Sequence, residues 1–169
     1  MELTKVEGPW PDRSIFLGSG IEKIGIFRNT PGEKSTMDRI ITVHPQNTHV
    51  SKQQLPNFEG ISAQTAGAKH LCMHLVVIPP GGKAVAHYHN GYETTIYIIK
   101  GRAETRYGPN LEYSSINETG DFLFIPPNLP HQPVNLSDSE EVIAVVSRND
   151  PNEQESVVVY NTLKAGGAL

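Results

Sequence analysis

The feature that most constrains the fold is a succession of short apolar runs separated by glycine and proline. The chain contains 15 Gly and 13 Pro, and clusters such as 79–82 (Pro-Pro-Gly-Gly) and 126–128 (Pro-Pro-Asn) stand between the runs. Short apolar segments bounded by such residues are typical of β-strands joined by tight turns. The pattern predicts an all-β fold, with strands at 23–28, 37–43, 71–78, 83–89, 93–100, 102–107, 122–125, 131–135, 141–148 and 156–160.

Composition limits the classes of function. A length of 169 residues suits a single domain, and a formal charge of -4 gives no basic surface for nucleic acid or an anionic membrane. The apolar runs are far shorter than the roughly 18 residues of a membrane-spanning helix, and the N-terminus does not resemble a signal peptide. The single cysteine, Cys72, excludes an internal disulfide and is expected to be a buried small apolar residue. We therefore expect a cytoplasmic protein that binds neither nucleic acid nor membrane.

The strand pattern divides the chain into three regions. Residues 71–160 are predicted to form the barrel, and residues 161–169 a flexible tail. Residues 1–70 are predicted to be an N-terminal arm of edge strands, with a polar loop at 44–69 that packs on the barrel. Strands from residues 1–45 could cover an exposed sheet edge of a neighbouring copy, so we expect a homodimer.

Four side chains suggest a metal site: His87, His89, Glu93 and His131. Residues two apart on a strand share a face, so His87 and His89 point the same way. Glu93 begins the next predicted strand, and His131 follows a proline-rich turn that fixes where its strand starts. Imidazoles with a carboxylate suit a divalent transition metal (Fe, Zn, Mn, Ni or Cu) better than Ca²⁺ or Mg²⁺.

The same residues fit two spaced motifs. Gly81, His87, His89, Glu93 and Gly101 resemble the first motif of the cupin superfamily, G-x5-H-x-H-x3or4-E-x6-G. The second motif, G-x5-P-x-G-x2-H-x3-N, resembles the chain from Gly120 through Pro126 and His131 to Asn135, with Asn128 in place of its internal glycine. Asn tolerates positive φ better than most residues, so this exchange is mild. The resemblance covers about 71–148 and implies a double-stranded β-helix (jelly-roll) barrel with an N-terminal strand arm, holding a metal on the four predicted ligands.

The spacing leaves the register of the acidic ligand open. The interval from His89 to Gly101 fits the four-residue form of the motif, which places Thr94 rather than Glu93 in the acid position. A bulge near Tyr92, which Gly91 would permit, or a bulge later in the strand would restore Glu93 as a ligand, and we take Glu93 as the prediction. Otherwise three histidines face Thr94, an arrangement similar to that of some cupin thiol dioxygenases.

The resemblance implies an enzyme that binds a small oxygen-rich organic molecule at the metal. Dioxygenase-type and isomerase-, cyclase- or lyase-type reactions fit equally, since cupin dioxygenases and cupin polyketide cyclases are similar at this level. Glu93 or Tyr97 is the expected proton carrier. The alternative is a metal- and ligand-binding module without turnover.

Several other side chains carry weaker predictions. His74 could point into the cavity, and Asn135 should lie on the face of His131 and hydrogen bond near it. Phe122 and Phe124 alternate with apolar neighbours and are expected to be buried. The strand arginines are expected to be mainly exposed, although an anionic substrate could bind them: Arg102, Arg106 and Arg148.

Overall fold

The computed structural model describes residues 39–44, 48–152 and 156–161. The chain divides into two compact units, Met1–Asp38 and Arg39–Leu169, and the described residues all belong to the second. The strand predicted at 23–28, most of the N-terminal arm and the tail beyond residue 161 therefore lie outside the described residues.

The described residues form eleven strands and one short helix. In chain order they are β1 (Thr48–Val50), β2 (Pro56–Ile61), α1 (Ala63–Ala66), β3 (Cys72–Ile78), β4 (His87–His89), β5 (Thr94–Lys100), β6 (Arg102–Tyr107), β7 (Tyr113–Glu118), β8 (Phe122–Ile125), β9 (His131–Asn135), β10 (Val142–Arg148) and β11 (Val157–Val159). None of the helices in these ranges is long and apolar enough to cross a membrane.

The strands form two antiparallel sheets. One has six strands in the order β1-β2-β3-β10-β5-β8, and the other has five in the order β11-β4-β9-β6-β7. Consecutive strands often belong to different sheets, as β4 and β5 do, so side chains distant in sequence meet between the sheets. This architecture confirms the all-β jelly-roll prediction.

The interior follows from strand alternation. On β10, Val142, Ala144 and Val146 point inward. Val142 and Ala144 belong to the main core cluster, together with Ile78, Ile98 and other apolar residues. Ile143 lies on the opposite face and joins a second cluster with Phe58, Leu75 and Val77. Both faces of the central strands are therefore apolar, which explains the continuous hydrophobic runs of β3 and β10.

Most barrel strands agree with the sequence predictions, and 122–125 and 131–135 have the predicted bounds. The strand predicted at 83–89 is formed only at His87–His89, and residues 39–43 of the one predicted at 37–43 have no strand. The predicted loop at 44–69 contains β1, β2 and α1, and the polar strand β7 was not predicted. Phe122 and Phe124 were predicted to be buried but are 83% and 60% exposed, because β8 is an edge strand whose outer face is uncovered.

Candidate metal centre

Three histidines converge on the inner face of the five-stranded sheet. His87 and His131 are directly opposite each other on β4 and β9, and His89 is two residues along β4. The ring centroids are 4.3 Å apart for His87 and His131, 5.3 Å for His87 and His89, and 5.0 Å for His89 and His131. One ring nitrogen of each residue lies within 4.8 Å of the other two, and all three side chains are buried.

Backbone carbonyls fix the orientation of two of these rings. Nδ1 of His87 lies 2.8 Å from the Val85 carbonyl oxygen, and Nδ1 of His131 lies 2.9 Å from that of Leu129. A carbonyl only accepts, so Nδ1 carries the donated hydrogen in both rings. Burial, the largest cause in each case, lowers the pKa of His87 to about 3 and that of His131 to about 4. Both rings are therefore neutral near pH 7, and each keeps a lone pair on Nε2 for a metal.

His89 is held by side chains of the opposite sheet. Its Nδ1 lies 2.6 Å from Thr94 Oγ1, and its Nε2 lies 3.0 Å from Nη2 of Arg148. A guanidinium only donates, so Nε2 accepts from Arg148 and Nδ1 donates to Thr94. Burial and then the charge of Arg148 hold the pKa of His89 well below its usual range. His89 therefore has the same tautomer as the other two histidines.

Thr94 and Arg148 are register partners on β5 and β10. Their side chains are 0% and 3% exposed, and Arg148 Nε donates to Thr94 Oγ1 at 3.2 Å. Arg148 thus differs from the exposed strand arginine expected from sequence. Its position on the inner face follows from its spacing, because it continues the inward series Val142, Ala144, Val146. This spacing of two residues is the sequence signal that could have identified Arg148 as an inward-facing residue.

The structure does not bring Glu93 to the histidines. Two asparagines hold the β4–β5 turn: Asn128 Oδ1 accepts from Gly91 N at 3.0 Å, and Asn149 Oδ1 accepts from Glu93 N at 2.9 Å. Strand β5 begins one residue later, at Thr94, and the Glu93 side chain is exposed. β5 has a register shift between Ile98 and Lys100 in its pairing with β10, but this shift does not turn Glu93 inward, and Thr94 faces the histidines instead.

Tyr97, the other predicted proton carrier, also lies away from the cavity. It is on the outer face of β5, 38% exposed, and its ring packs against Phe122 with centroids 4.7 Å apart. The register that turns Thr94 inward turns Tyr97 outward, because residues 94 and 97 differ by an odd number of positions.

The histidines line a cavity of about 80 Å³ between the two sheets. Most of the lining is aliphatic, and His74 of β3 points into the cavity, an orientation that the sequence had left open. Among the described residues that line this cavity, none is Asp or Glu. A larger cavity of about 390 Å³ lies beside it between β8 and the β6–β7 hairpin, and Leu123, Ile125 and His131 border both.

Two asparagines of the second motif have defined structural roles. Asn128 adopts φ 63°, the left-handed conformation expected where the motif usually has glycine. Asn135 is buried on β9, and its Nδ2 donates to the carbonyls of Ile78, Pro79 and Glu140. These bonds join backbone segments at the end of the barrel, whereas the sequence predicted a hydrogen bond near His131.

Fold and site together define a jelly-roll barrel with a buried three-histidine pocket. Residues 74–147 match the family model described as Cupin domain. For residues 74–147, this match confirms the resemblance to the cupin superfamily found in the motifs. Among curated proteins, none matches the chain significantly.

Solved structures agree with this assignment. A polyketide cyclase, RemF from Streptomyces resistomycificus, superposes with a TM-score of 0.58 at 20% identity, covering 73% of this chain and 87% of that one. A Cupin 2 conserved barrel domain protein from Salinispora arenicola gives 0.53 at 24% identity, over 66% and 88%. The oxalate decarboxylase of Lactobacillus farciminis gives 0.58 at 22% identity over 72% of this chain, but only 36% of that longer chain is covered. At these identities the likeness shows the fold alone.

Proposed function

We propose that this cupin domain holds a divalent transition metal on His87, His89 and His131 and acts as an enzyme on a small organic molecule. The observation that carries the proposal is the shared tautomer: each ring directs Nδ1–H toward a carbonyl or hydroxyl oxygen, so Nε2 carries the lone pair that a metal would bind. In His89 this lone pair accepts from Arg148, a hydrogen bond that metal binding would replace. Three neutral imidazoles suit Fe, Zn, Mn, Ni or Cu, and they leave coordination positions for a substrate.

The bound metal would supply Lewis-acid polarisation of a substrate oxygen or, for iron, dioxygen chemistry. The chain's own residues prepare the site. Aliphatic side chains such as Ile98 and Val142 exclude water from the cavity. Among the described residues that line the cavity, His74 is the one histidine besides the three ligands, and its ring nitrogens can carry a proton. We assign proton transfer to His74 in place of Glu93 and Tyr97, which lie outside the cavity.

The substrate we propose is an oxygen-rich small molecule, in a dioxygenase-type or an isomerase-, cyclase- or lyase-type reaction. The 390 Å³ cavity bordering His131 offers room for the part of a substrate that the inner cavity is too small to contain. The polyketide cyclase and the oxalate decarboxylase named above share the fold of this chain, and the support they give to the proposal is limited to that.

The test is reconstitution followed by a turnover screen. Metal-free protein is loaded with each of the five metals in turn, and bound metal is measured by elemental analysis after gel filtration. Wild type should retain stoichiometric metal, His131→Ala should lose most of it, and His44→Ala, an exposed control, should retain it. Candidate enols, diketones and carboxylic acids are then incubated aerobically and anaerobically, with products detected by mass spectrometry. Metal retention by His131→Ala equal to that of wild type would refute the assignment.

A binding module without turnover is the second candidate. It is favoured by the absence of Asp, Glu and Tyr from the described residues that line the inner cavity, since these side chains commonly move protons in enzymes. A binding module would take up ligand to saturation with no product under any gas phase or metal, whereas an enzyme would consume it.

The partners that we propose are those expected from the sequence. We expect a small-molecule substrate, no nucleic acid and no membrane, and a homodimer. The homodimer is supported by contiguous exposed aromatic side chains on the outer face of β5 and β8: Tyr97, Phe122 and Phe124. Light scattering should give twice the 18.6 kDa chain mass at micromolar concentration, and a monomer mass would contradict the expectation.

A further inference from the structure

The larger cavity, of about 390 Å³, has two walls of different chemistry. Polar residues that share one face of the β6–β7 hairpin form the first wall: Thr105, Tyr107, Ser115 and Asn117. The second wall is apolar and includes Leu123 of β8 and Leu129, which precedes β9. The volume lies within the range of about 300–1,000 Å³ that is usual for small-molecule sites. The cavity is therefore large enough for an organic ligand with one polar edge and one apolar face.

The polar wall is ordered by its own hydrogen bonds. Thr105 Oγ1 donates to Asn117 Oδ1 at 2.9 Å, and Asn117 Nδ2 donates to Ser115 Oγ at 3.2 Å. An amide nitrogen only donates, so Ser115 Oγ accepts in this bond and keeps its own hydrogen for another partner. Among the described residues, no acceptor receives the hydroxyl hydrogen of Ser115 or that of Tyr107. The wall therefore offers two O–H donors, whose complement is an oxygen acceptor on the ligand.

The lining also limits the charge and shape of the ligand. Within the described part of the chain, no Asp, Glu, Lys or Arg lines this cavity. An ionised group that leaves water without a counter-charge is strongly destabilised, so the lining favours a neutral ligand. Aromatic residues border the cavity as well, and the Tyr107 ring packs against Tyr113 with centroids 5.6 Å apart. Because aromatic side chains pack well against flat rings, a planar ligand suits this cavity.

We propose that this cavity is the substrate-specificity subsite and that it takes an uncharged, flat ring compound whose carbonyl or hydroxyl oxygens accept from Ser115 and Tyr107. This inference rests on the proposed function and specifies its substrate class. Tyr107 is the register partner of His131, and His131 borders both cavities. A ligand held by the Tyr107 hydroxyl therefore extends to the edge of the three-histidine site.

The experiment titrates metal-free protein with a dihydroxynaphthalene, an uncharged flat ring compound with two oxygen acceptors, and follows the fluorescence of its ring. Ser115→Ala and Tyr107→Phe should each weaken binding by about two- to ten-fold, the range of one net hydrogen bond. Ser114→Ala, on the opposite face of β7, and Tyr113→Phe, outside the cavity lining, should bind as wild type does. Naphthoate has the same ring with a carboxylate, and it should bind wild type at least about ten-fold more weakly than the dihydroxynaphthalene.

Two results would overturn the inference. One is equal affinity of the dihydroxynaphthalene for wild type, Ser115→Ala and Tyr107→Phe, and the other is naphthoate binding as tight as that of the dihydroxynaphthalene. Should either variant fail to fold, the comparison of the two compounds on wild type decides alone. Cobalt(II) binding, measured by competition with a chelating dye, tests the proposed function separately. Cobalt binding without dihydroxynaphthalene binding would refute this inference alone, whereas the reverse result would refute the metal site and leave the assignment of the cavity standing.

Discussion

Replacing Thr94 with valine tests whether the hydroxyl behind His89 orients that ring for a metal. Valine has nearly the same shape, and the Thr94 side chain is 0% exposed, so the change removes the hydroxyl with little change in volume. Oγ1 lies 2.6 Å from His89 Nδ1 and accepts from Arg148 Nε at 3.2 Å. The variant therefore deprives two buried donors of an acceptor at the same time.

The size of the effect follows from those two contacts. A buried donor left without its acceptor costs about 1–3 kcal/mol, so the loss of an acceptor for two donors should lower the free energy of unfolding by about 2–6 kcal/mol. Removing the group that orients a ligating histidine commonly weakens metal binding by about 10- to 100-fold. Urea unfolding of the metal-free protein gives the first quantity, and dye competition for cobalt gives the second.

Thr105→Val is the matched control. Thr105 is buried on β6, lines the same cavity and donates to Asn117 Oδ1 at 2.9 Å. Its hydroxyl bond to Asn117 does not involve the histidines, so the control should lose about 1–3 kcal/mol of stability but keep its metal affinity. Unchanged cobalt affinity in Thr94→Val, or an equal loss in Thr105→Val, would refute the view that Thr94 orients His89.

Much of the barrel was predictable because local patterns coincide with the fold. β8 and β9 are each preceded by turn-forming residues, and β3 and β10 are runs of Val, Ile and Leu that suit strands buried on both faces. β7 lacks such a pattern: it reads Tyr-Ser-Ser-Ile-Asn-Glu, and five of its six residues are exposed. Its strand conformation comes from pairing with β6 across a short turn, which is a tertiary effect on a polar segment.

The candidate site was predictable where it depends only on the alternation of side chains along one strand. Positions two apart placed His87 and His89 on one face, but the pairing of His87 with His131 depends on β4 lying beside β9. The register at Glu93 depended on whether the turn contains a bulge, and contacts from Asn128 and Asn149 decide this. Those contacts come from segments 35 or more residues away, so local spacing left both registers open.

Three further perturbations follow from particular contacts. Glu93→Gln should leave bound metal unchanged in elemental analysis, because the side chain is exposed; a marked loss would restore Glu93 as a ligand. Gly101→Ala should lower the urea midpoint more than Gly81→Ala: both positions have positive φ, but an added Cβ lies 2.7 Å from the Glu141 carbonyl oxygen at Gly101 and meets nothing within 4 Å at Gly81, and equal losses would contradict this. Acidification should destabilise the metal-free protein, because the folded pKa values of His87 and His131, about 3 and about 4, lie below the ordinary 6.5. The unfolded chain then binds protons first as the pH falls below 6.5, so this contribution to stability is complete above that value and is lost toward the folded pKa values. At about 1.4 kcal/mol per pH unit and ring, these two rings together should cost about 4 kcal/mol near pH 5, and His89, whose pKa is also lowered by burial, adds to the loss. Urea unfolding at pH 7 and pH 5 measures the total, and replacing His131 with the permanently neutral Gln should reduce it by the share of one ring, about 2 kcal/mol; a pH dependence unchanged by that substitution would show that other groups cause it.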